Sequence, residues 1–453
     1  MSISTFNRHE FGEKLNTVVF PSQPIQSIEH LFGRGEELDQ IDKALYAPGR
    51  HIFIYGDRGV GKSSLAAIAA NQYQSPEADY IDVSCSPDAT LLSVVADIAM
   101  QAANISRFRS ITRQVKKSID LRFFKIEKNQ NETRLNIREQ IRTLPEAVEL
   151  LREVSYLHSE KPIVVLDEFD RISSAEERNL FADLIKQLGD KKIPLKFIFT
   201  GVGKTLEELL GAHQSAYRQL QTIELPKLPW EARWEIVLHA ARTFGIDVDR
   251  DVYIRIAQVS DGYPYYVHLI TEKMLWRVYD EAKEVEKVTW EHYLPAIRDA
   301  IHSISAELKR PYELAVNQPS GDYEEVLWST ADSDMLLRYL KDMYSSYGKI
   351  MDQYTDKLRL DNGKYSARIR NLKNASCGSV LISGNRPGLY SYREKMLRGY
   401  VRMQAEANGI ELYGEEARSR EKQYMHVPAR VSTGYRQSMI PRGITFSRNG
   451  ERK

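Results

Sequence analysis

The chain has 453 residues, too many for one ordinary hydrophobic core, so its length predicts two or three domains with tails. Lys and Arg total 63 against 62 Asp and Glu, which excludes a global field drawing the protein to nucleic acid and leaves that role to local patches. An apolar fraction of 42% and a charged fraction of 28% exclude disordered and membrane-embedded classes. Two cysteines far apart, Cys85 and Cys377, argue against a disulfide framework or zinc site and suit a reducing cytoplasm. No apolar run reaches bilayer length and the opening residues lack an apolar signal core. The expectation is a cytoplasmic protein with no membrane partner.

Residues up to about Phe20 are polar without a strong period, and Pro21-Ser22-Gln23-Pro24 reads as a linker. Next, Phe32-Gly33-Arg34-Gly35 forms a glycine turn opening an amphipathic helix that runs to about Tyr46. Gly33 and Arg34 fit two readings, a plain helix start or a contact to the base or ribose of a ligand. His51-Ile52-Phe53-Ile54-Tyr55 then reads as a buried parallel strand, followed by Gly56-Asp57-Arg58-Gly59-Val60-Gly61-Lys62-Ser63. This is the G-x-x-x-x-G-K-[ST] loop, whose glycines let successive N–H groups turn inward on phosphate oxygens. Lys62 is placed to reach β- and γ-phosphates, the Ser63 hydroxyl to join Mg²⁺, and Ser64 to open the helix leaving the loop.

A second strand is expected at residues 78–85 and an apolar-faced helix at 91–103. Residues 105–128 interleave Arg107, Arg109, Lys116 and Lys117 with Phe108, Phe123 and Phe124. That pattern fits phosphate and stacking contacts with nucleic acid, or equally a solvated face with its phenylalanines in the core. Pro162-Ile163-Val164-Val165-Leu166-Asp167-Glu168 is a continuous apolar strand ending in two acids. At the carboxyl end of a central strand beside the phosphate loop, Asp167 would hold Mg²⁺ and Glu168 would deprotonate an attacking water. Residues 195–201 give another buried strand, ending in Thr200, which is either a γ-phosphate contact or a strand-end turn. Thr222 to Leu225 makes a fifth.

From Pro229 the pattern is helical, with apolar spacing at 230–243, 250–259 and 265–279, broken at Gly245 and at Asp261-Gly262-Tyr263-Pro264. Residues 323–330, 335–347 and 363–374 are three more helices, followed by a hairpin about Gly384-Asn385-Arg386-Pro387-Gly388. Three helices and a hairpin predict a winged helix, with Lys364, Arg368, Arg370 and Lys373 on its third helix and Arg386 at the wing tip. The same module also serves to dock proteins. Beyond about Glu411 the chain is a basic tail. The predicted class is α/β, a P-loop NTPase with a central parallel sheet, then an all-helical lid and a winged helix. Its boundaries fall at 1–25, 26–228, 229–303, 304–410 and 411–453.

With GRGEEL, the phosphate loop, LDEFDRI, FTG and SAYR in place, the chain resembles the AAA+ ATPases of the replication-initiator branch. It resembles equally the STAND ATPases that share their core. The resemblance implies ATP and Mg²⁺ as cofactors and a slow ATPase stimulated by assembly. It also implies a homo-oligomer in which Arg218 is the finger offered to a neighbour's γ-phosphate, double-stranded DNA or a protein as partner, and Gly33 and Arg34 beside the adenine. One departure stands out. After Asp261-Gly262 no arginine follows until Arg277, and the turn looks like the glycine-x-proline turn of STAND ATPases, whose proline, here Pro264, packs near the adenine.

Overall fold

The computed structural model describes residues 3–104, 141–203, 218–281 and 285–412. The expected basic tail, and Arg107, Arg109, Lys116 and Lys117, lie outside the described residues. The sequence begins with α1 (Arg8–Asn16), an unexpected helix. Its signal is a capping box, in which Asn7 accepts from the Glu10 N–H and the Glu10 carboxylate accepts from the Asn7 N–H. Only Phe11 and Leu15 are buried in it, too few to give a period. What holds it is distant in sequence, since Phe11 stacks on Tyr279 at 4.3 Å between ring centres and meets Trp276 edge-on at 4.7 Å.

The α/β part follows as α2 (Gly35–Tyr46), β1 (His51–Tyr55), α3 (Lys62–Tyr73), β2 (Ile81–Ser84), α4 (Leu91–Asn104), α5 (Leu144–His158), β3 (Ile163–Asp167), α6 (Ala175–Asp190), β4 (Lys196–Gly201) and β5 (Leu220–Glu224). The five strands form one parallel sheet in the order β2-β3-β4-β1-β5. β4 is buried throughout and β1 and β3 are buried over their first four residues, the pattern of strands covered on both faces. The expected parallel sheet is therefore present, with β4 between the strand that carries the phosphate loop and the strand that carries the two acids.

A helical segment follows: α7 (Trp230–Thr243), β6 (Asp247–Val248), α8 (Arg250–Val259), α9 (Pro264–Tyr279), β7 (Lys287–Val288) and α10 (Trp290–Ser303). Its apolar side continues into one core with α1 and the β1–α3 region. The last described segment holds α11 (Ala306–Val316), α12 (Tyr323–Ala331), β8 (Arg338–Tyr339), α13 (Leu340–Met351), α14 (Asn362–Asn371), β9 (Leu381–Ser383), β10 (Leu389–Tyr392) and α15 (Leu397–Ala407). Its strands pair antiparallel in the order β8-β10-β9. The helix expected from residue 335 starts at Leu340, because Arg338 and Tyr339 instead pair with Tyr390 and Leu389 of β10. Residues Met1–Leu412 form one compact unit, so contacts between its segments are part of a single architecture.

Candidate nucleotide site

The phosphate loop leaves β1 and curls into α3, with Gly59 at φ 78° and Gly61 at φ 98°, backbone that favours glycine. Val60 is buried beneath it and pins the loop to the core. The Lys62 ammonium donates to the carbonyls of Gly56 and Asp57 at 3.1 and 2.8 Å. Burial lowers its pKa, against the opposing pull of Asp170, Asp167, Asp57 and Glu168. Those acids keep an ammonium in place where the sequence put it.

β3 delivers Asp167 to the same place. Ser63 Oγ donates to Asp167 Oδ1 at 3.0 Å. Thr200, at the end of β4, also donates its hydroxyl to Asp167 Oδ1, and it accepts the Glu168 N–H at 3.0 Å. Thr200 thus positions both acids from β4, the strand next to theirs. The next residue fixes the turn: Phe169 is fully buried, 5.0 Å from the Phe181 ring and 5.3 Å from Phe199. Glu168 is carried out of the sheet at φ 54°, with its carboxylate exposed and accepting from Arg171 at 2.8 Å.

These groups line a cavity of about 760 Å³. Its far wall comprises residues 20–25, so the stretch read as a linker is part of the site. Ile25 N–H donates to Ser64 Oγ at 3.0 Å and Phe20 N–H to His268 Nδ1 at 3.3 Å. Pro264 and His268 of α9 and Ser64 border both this cavity and a smaller one of about 30 Å³. Arg34 also lines the smaller cavity but is buried as a strut, donating to Val60 O at 3.1 Å and Pro226 O at 2.6 Å. Gly33, at φ 65°, lies against α7, where a Cβ would stand 2.5 Å from that of Ala232. Asp170, Arg171, His268, Glu307 and Glu394 were not singled out from the sequence. Only Asp170 and Arg171, inside LDEFDRI, carried a local signal.

The hydroxyl of Ser63 beside the carboxylate of Asp167 is a small set of hard oxygens. It suits Mg²⁺ with phosphate and water completing the shell. The glycine-lined loop with Lys62 suits a polyphosphate. Arg218 is exposed and lies just before β5. Because β5 runs parallel to β1, it stands at the sheet edge opposite the loop, with about 13 Å of strand between. Arg277 pairs with Asp299 at 2.6 Å. Of the expected nucleic-acid residues, Lys364, Arg370 and Arg386 are exposed. Arg368 is held bidentately by Asp322 at 2.8 and 2.9 Å, and Lys373 donates to Ser383 Oγ at 3.1 Å.

Two of the phosphate-loop side chains face the last described segment. Asp57 pairs with Lys395 at 2.5 Å and Arg58 with Glu307 at 3.1 Å, while Met396 sits where a Cβ on Gly59 would be, 2.4 Å from its sulfur.

Residues 30–198 match the family described as the AAA ATPase domain. A search of curated proteins found no match. Among solved structures, the Walker-type ATPase PABY2304 of Pyrococcus abyssi superposes with a TM-score of 0.50 at 18% identity, over 84% of this chain and 98% of that one. At that identity the likeness speaks to the fold. Cdc6p from Pyrobaculum aerophilum gives 0.42 at 15% identity, over 86% and 98%. The Aeropyrum pernix ORC1 protein, solved in complex with DNA, gives 0.41 at 14%, over 83% and 93%.

Proposed function

We propose that this chain, with its AAA ATPase domain at residues 30–198, is an ATP-binding and ATP-hydrolysing switch. Its nucleotide state would govern oligomerisation and, through residues 304–410 acting as a winged helix, association with DNA. Lys62 and the loop N–H groups hold the phosphates, Ser63 and Asp167 hold Mg²⁺, Glu168 takes the proton of the attacking water, and Thr200 keeps both acids in register. When bound, Mg²⁺ would neutralise charge on the phosphate oxygens. Arg218, remote from its own loop, is assigned to a neighbouring subunit's γ-phosphate.

The observation that carries this reading is the direct hold of the phosphate loop on the C-terminal segment through Asp57–Lys395, Arg58–Glu307 and Met396 on Gly59. A loop that reorganises around phosphates acts on those three contacts without an intermediary, and a ligand shifts the equilibrium by its differential affinity for the two arrangements. Exposed Lys364, Arg370 and Arg386 supply the phosphate contacts expected of a groove-reading helix and wing. The test is to measure ATPase rate and oligomer size with and without duplex DNA. The reading expects both to rise with DNA at low salt and Arg218→Ala to lower the rate only in the assembled state. No DNA affinity at low ionic strength would sink the DNA part.

A second reading has its own observation. The lid turn lacks an arginine near the phosphates, and its Asp261 is gripped by Arg398 and Arg402 of the C-terminal segment. That arrangement favours a STAND-like switch that retains its nucleotide and presents the C-terminal segment to a protein. An ATPase indifferent to DNA and slow in every assembly state would favour it.

A further inference from the structure

Arg171 lines the nucleotide cavity beside Glu168, and the turn that carries both is fixed by its neighbours. Phe169–Arg171 is a single 3-10 turn opened by Glu168, with the Arg171 N–H donating to Glu168 O at 2.9 Å. In that geometry side chains three apart lie one above the other, so Glu168 and Arg171 face the same way. The turn is anchored on both sides. Phe169 and Ile172 are fully buried, Arg178 donates to the Ile172 carbonyl, and Ser173 N–H donates to Pro87 O at 3.1 Å. On this frame Arg171 Nη1 donates to Glu168 Oε2 at 2.8 Å. Among the described residues, Glu168 Oε1 accepts no hydrogen bond. Arg58, which also lines the cavity, is held instead by Glu307 at 3.1 Å.

We propose that Arg171 is the positioning residue of the base, anchoring Glu168 Oε2 so that Oε1 is the oxygen presented to the attacking water. This deepens the ATPase reading above and rests on it. A base that is itself oriented by a third group is the arrangement by which a nucleophile is activated. A half-exposed glutamate otherwise samples several staggered rotamers. Only those that bring a carboxylate oxygen within hydrogen-bond reach of the water are productive. The backbone does not choose among them, because Thr200 and Phe169 fix the Glu168 N–H and the turn while leaving the end of the side chain free. The guanidinium does choose. It is charged at every working pH, carries its donors on a rigid plane and accepts no proton, so the proton of the water is left to Glu168. Both partners are half exposed, so the pair adds little to stability and its contribution lies in geometry.

The test uses the full chain with Mg²⁺ and ATP, and compares Arg171→Ala, Arg171→Lys, Glu168→Gln and the double variant of Arg171→Ala with Glu168→Gln. The measurements are single-turnover phosphate release, ATP affinity by calorimetry and melting temperature. Arg171→Ala should slow release about tenfold, as for a reacting group displaced from its productive position, with ATP affinity within about twofold and melting unchanged. Arg171→Lys should recover part of the rate, because an ammonium can still donate to Oε2. Glu168→Gln has no base left to position, so adding Arg171→Ala to it should cost less than about twofold more, the coupling that a double-mutant cycle isolates. An equal loss in both backgrounds overturns the assignment, since it would place Arg171 on the phosphate itself. Unchanged release in Arg171→Ala overturns it too, as does faster release, which would mark a pair that restrains the base. A fall in ATP affinity or melting temperature that matches the fall in rate would mark a merely structural arginine and is equally fatal. If the unsubstituted chain released no phosphate, or if Glu168→Gln released it as fast, the ATPase reading itself would fail. That result is distinct from an Arg171→Ala variant that is fast while Glu168→Gln is slow.

Discussion

In the ATPase proposed above, Glu168 would concentrate the chemistry in one strained residue. A non-glycine backbone at φ 54° costs about 1–3 kcal/mol, and it is held there by buried Phe169 on one side and the N–H bond to Thr200 on the other. Glu168→Gln keeps the size and the backbone but removes the proton acceptor. ATP affinity should stay within about threefold while turnover falls roughly 10²-fold or more, read by calorimetry and by single-turnover phosphate release. Unchanged turnover would remove Glu168 as the base. His51 makes a residue-scale prediction of another kind. It is buried at the start of β1, its Nδ1 accepts from Phe197 N–H at 3.1 Å, and burial, then Lys196, lowers its pKa to about 3. The unfolded chain takes up this proton near pH 6.5 and the folded chain does not. This contribution to stability is therefore full above about pH 6.5 and is lost as pH falls from there toward 3. The slope is about 1.4 kcal/mol per pH unit for one such site. His51→Asn retains an acceptor and removes the titration, so melting curves at pH 5, 6 and 7 should show a shallower acid decline than the unsubstituted chain.

At the scale of elements, the phosphate loop depends on how closely β1 and β5 leave the sheet. A Cβ on Gly56 would lie 2.5 Å from Leu225 O, and that carbonyl cannot retreat because Leu225 N–H is bonded to Tyr55 O at 2.7 Å. The neighbouring Pro226 carbonyl is tied through Arg34 to Val60 in the loop. Gly56→Ala should destabilise the fold by about 2 kcal/mol and weaken phosphate binding with it. Gly35→Ala at the start of α2 meets nothing within 4 Å and should stabilise by about 0.4–1 kcal/mol. Chemical denaturation of the two variants separates them, and a neutral Gly56→Ala would refute the close-packing account. The elements legible in the sequence were those whose signal is local. Continuous apolar runs marked β1, β3 and β4, and glycine spacing marked the loop they feed. The helix α1 was missed because its stabilising partners, Trp276 and Tyr279, lie far along the chain. Pro21 to Pro24 looked like a linker because the stretch is tied down at its two ends by backbone N–H groups, Phe20 to His268 and Ile25 to Ser64, which no side-chain pattern announces. Likewise Arg368 read as a groove-reading cation, when Asp322, just before α12, holds it.

Over the whole molecule, the lid and the C-terminal segment meet through a buried ion cluster, and its centre decides how they behave together. Asp261, at the lid turn, takes Arg398 through both oxygens at 2.6 and 2.8 Å, Arg402 at 3.2 Å and Lys227 at 2.8 Å. The two guanidinium groups also donate to the carbonyls of Ala331, Ser333, Asp334 and Met335, and Arg255 of α8 grips Glu406 of α15 at 2.6 Å. By contrast, the phosphate loop holds the C-terminal segment through partly exposed pairs, which contribute at most about 1 kcal/mol each. The segment is therefore bound more firmly to residues 230–303 than to the loop, so in the switch proposed above those residues and the C-terminal segment should respond together when the loop contacts shift. Burial pushes the Asp261 pKa up, but Arg398, Arg402 and Lys227 more than reverse this and leave it well below the ordinary carboxylate range. Its stabilising contribution is thus present above about pH 4 and is lost only as pH falls through that depressed value. Asp261→Asn leaves two arginines buried against a neutral amide, and removing one partner of a buried pair costs about 3–5 kcal/mol. The variant should melt well below the unsubstituted chain at pH 5, with the margin narrowing toward pH 8, because burial already lowers the Lys227 pKa to about 8 beside Asp261 and loss of that carboxylate lowers it further. Hydrogen exchange should show α15 and residues 331–335 losing protection together with α9, while β1, β3 and β4 keep theirs. If α15 loosened alone and the lid stayed protected, the two would not be one body.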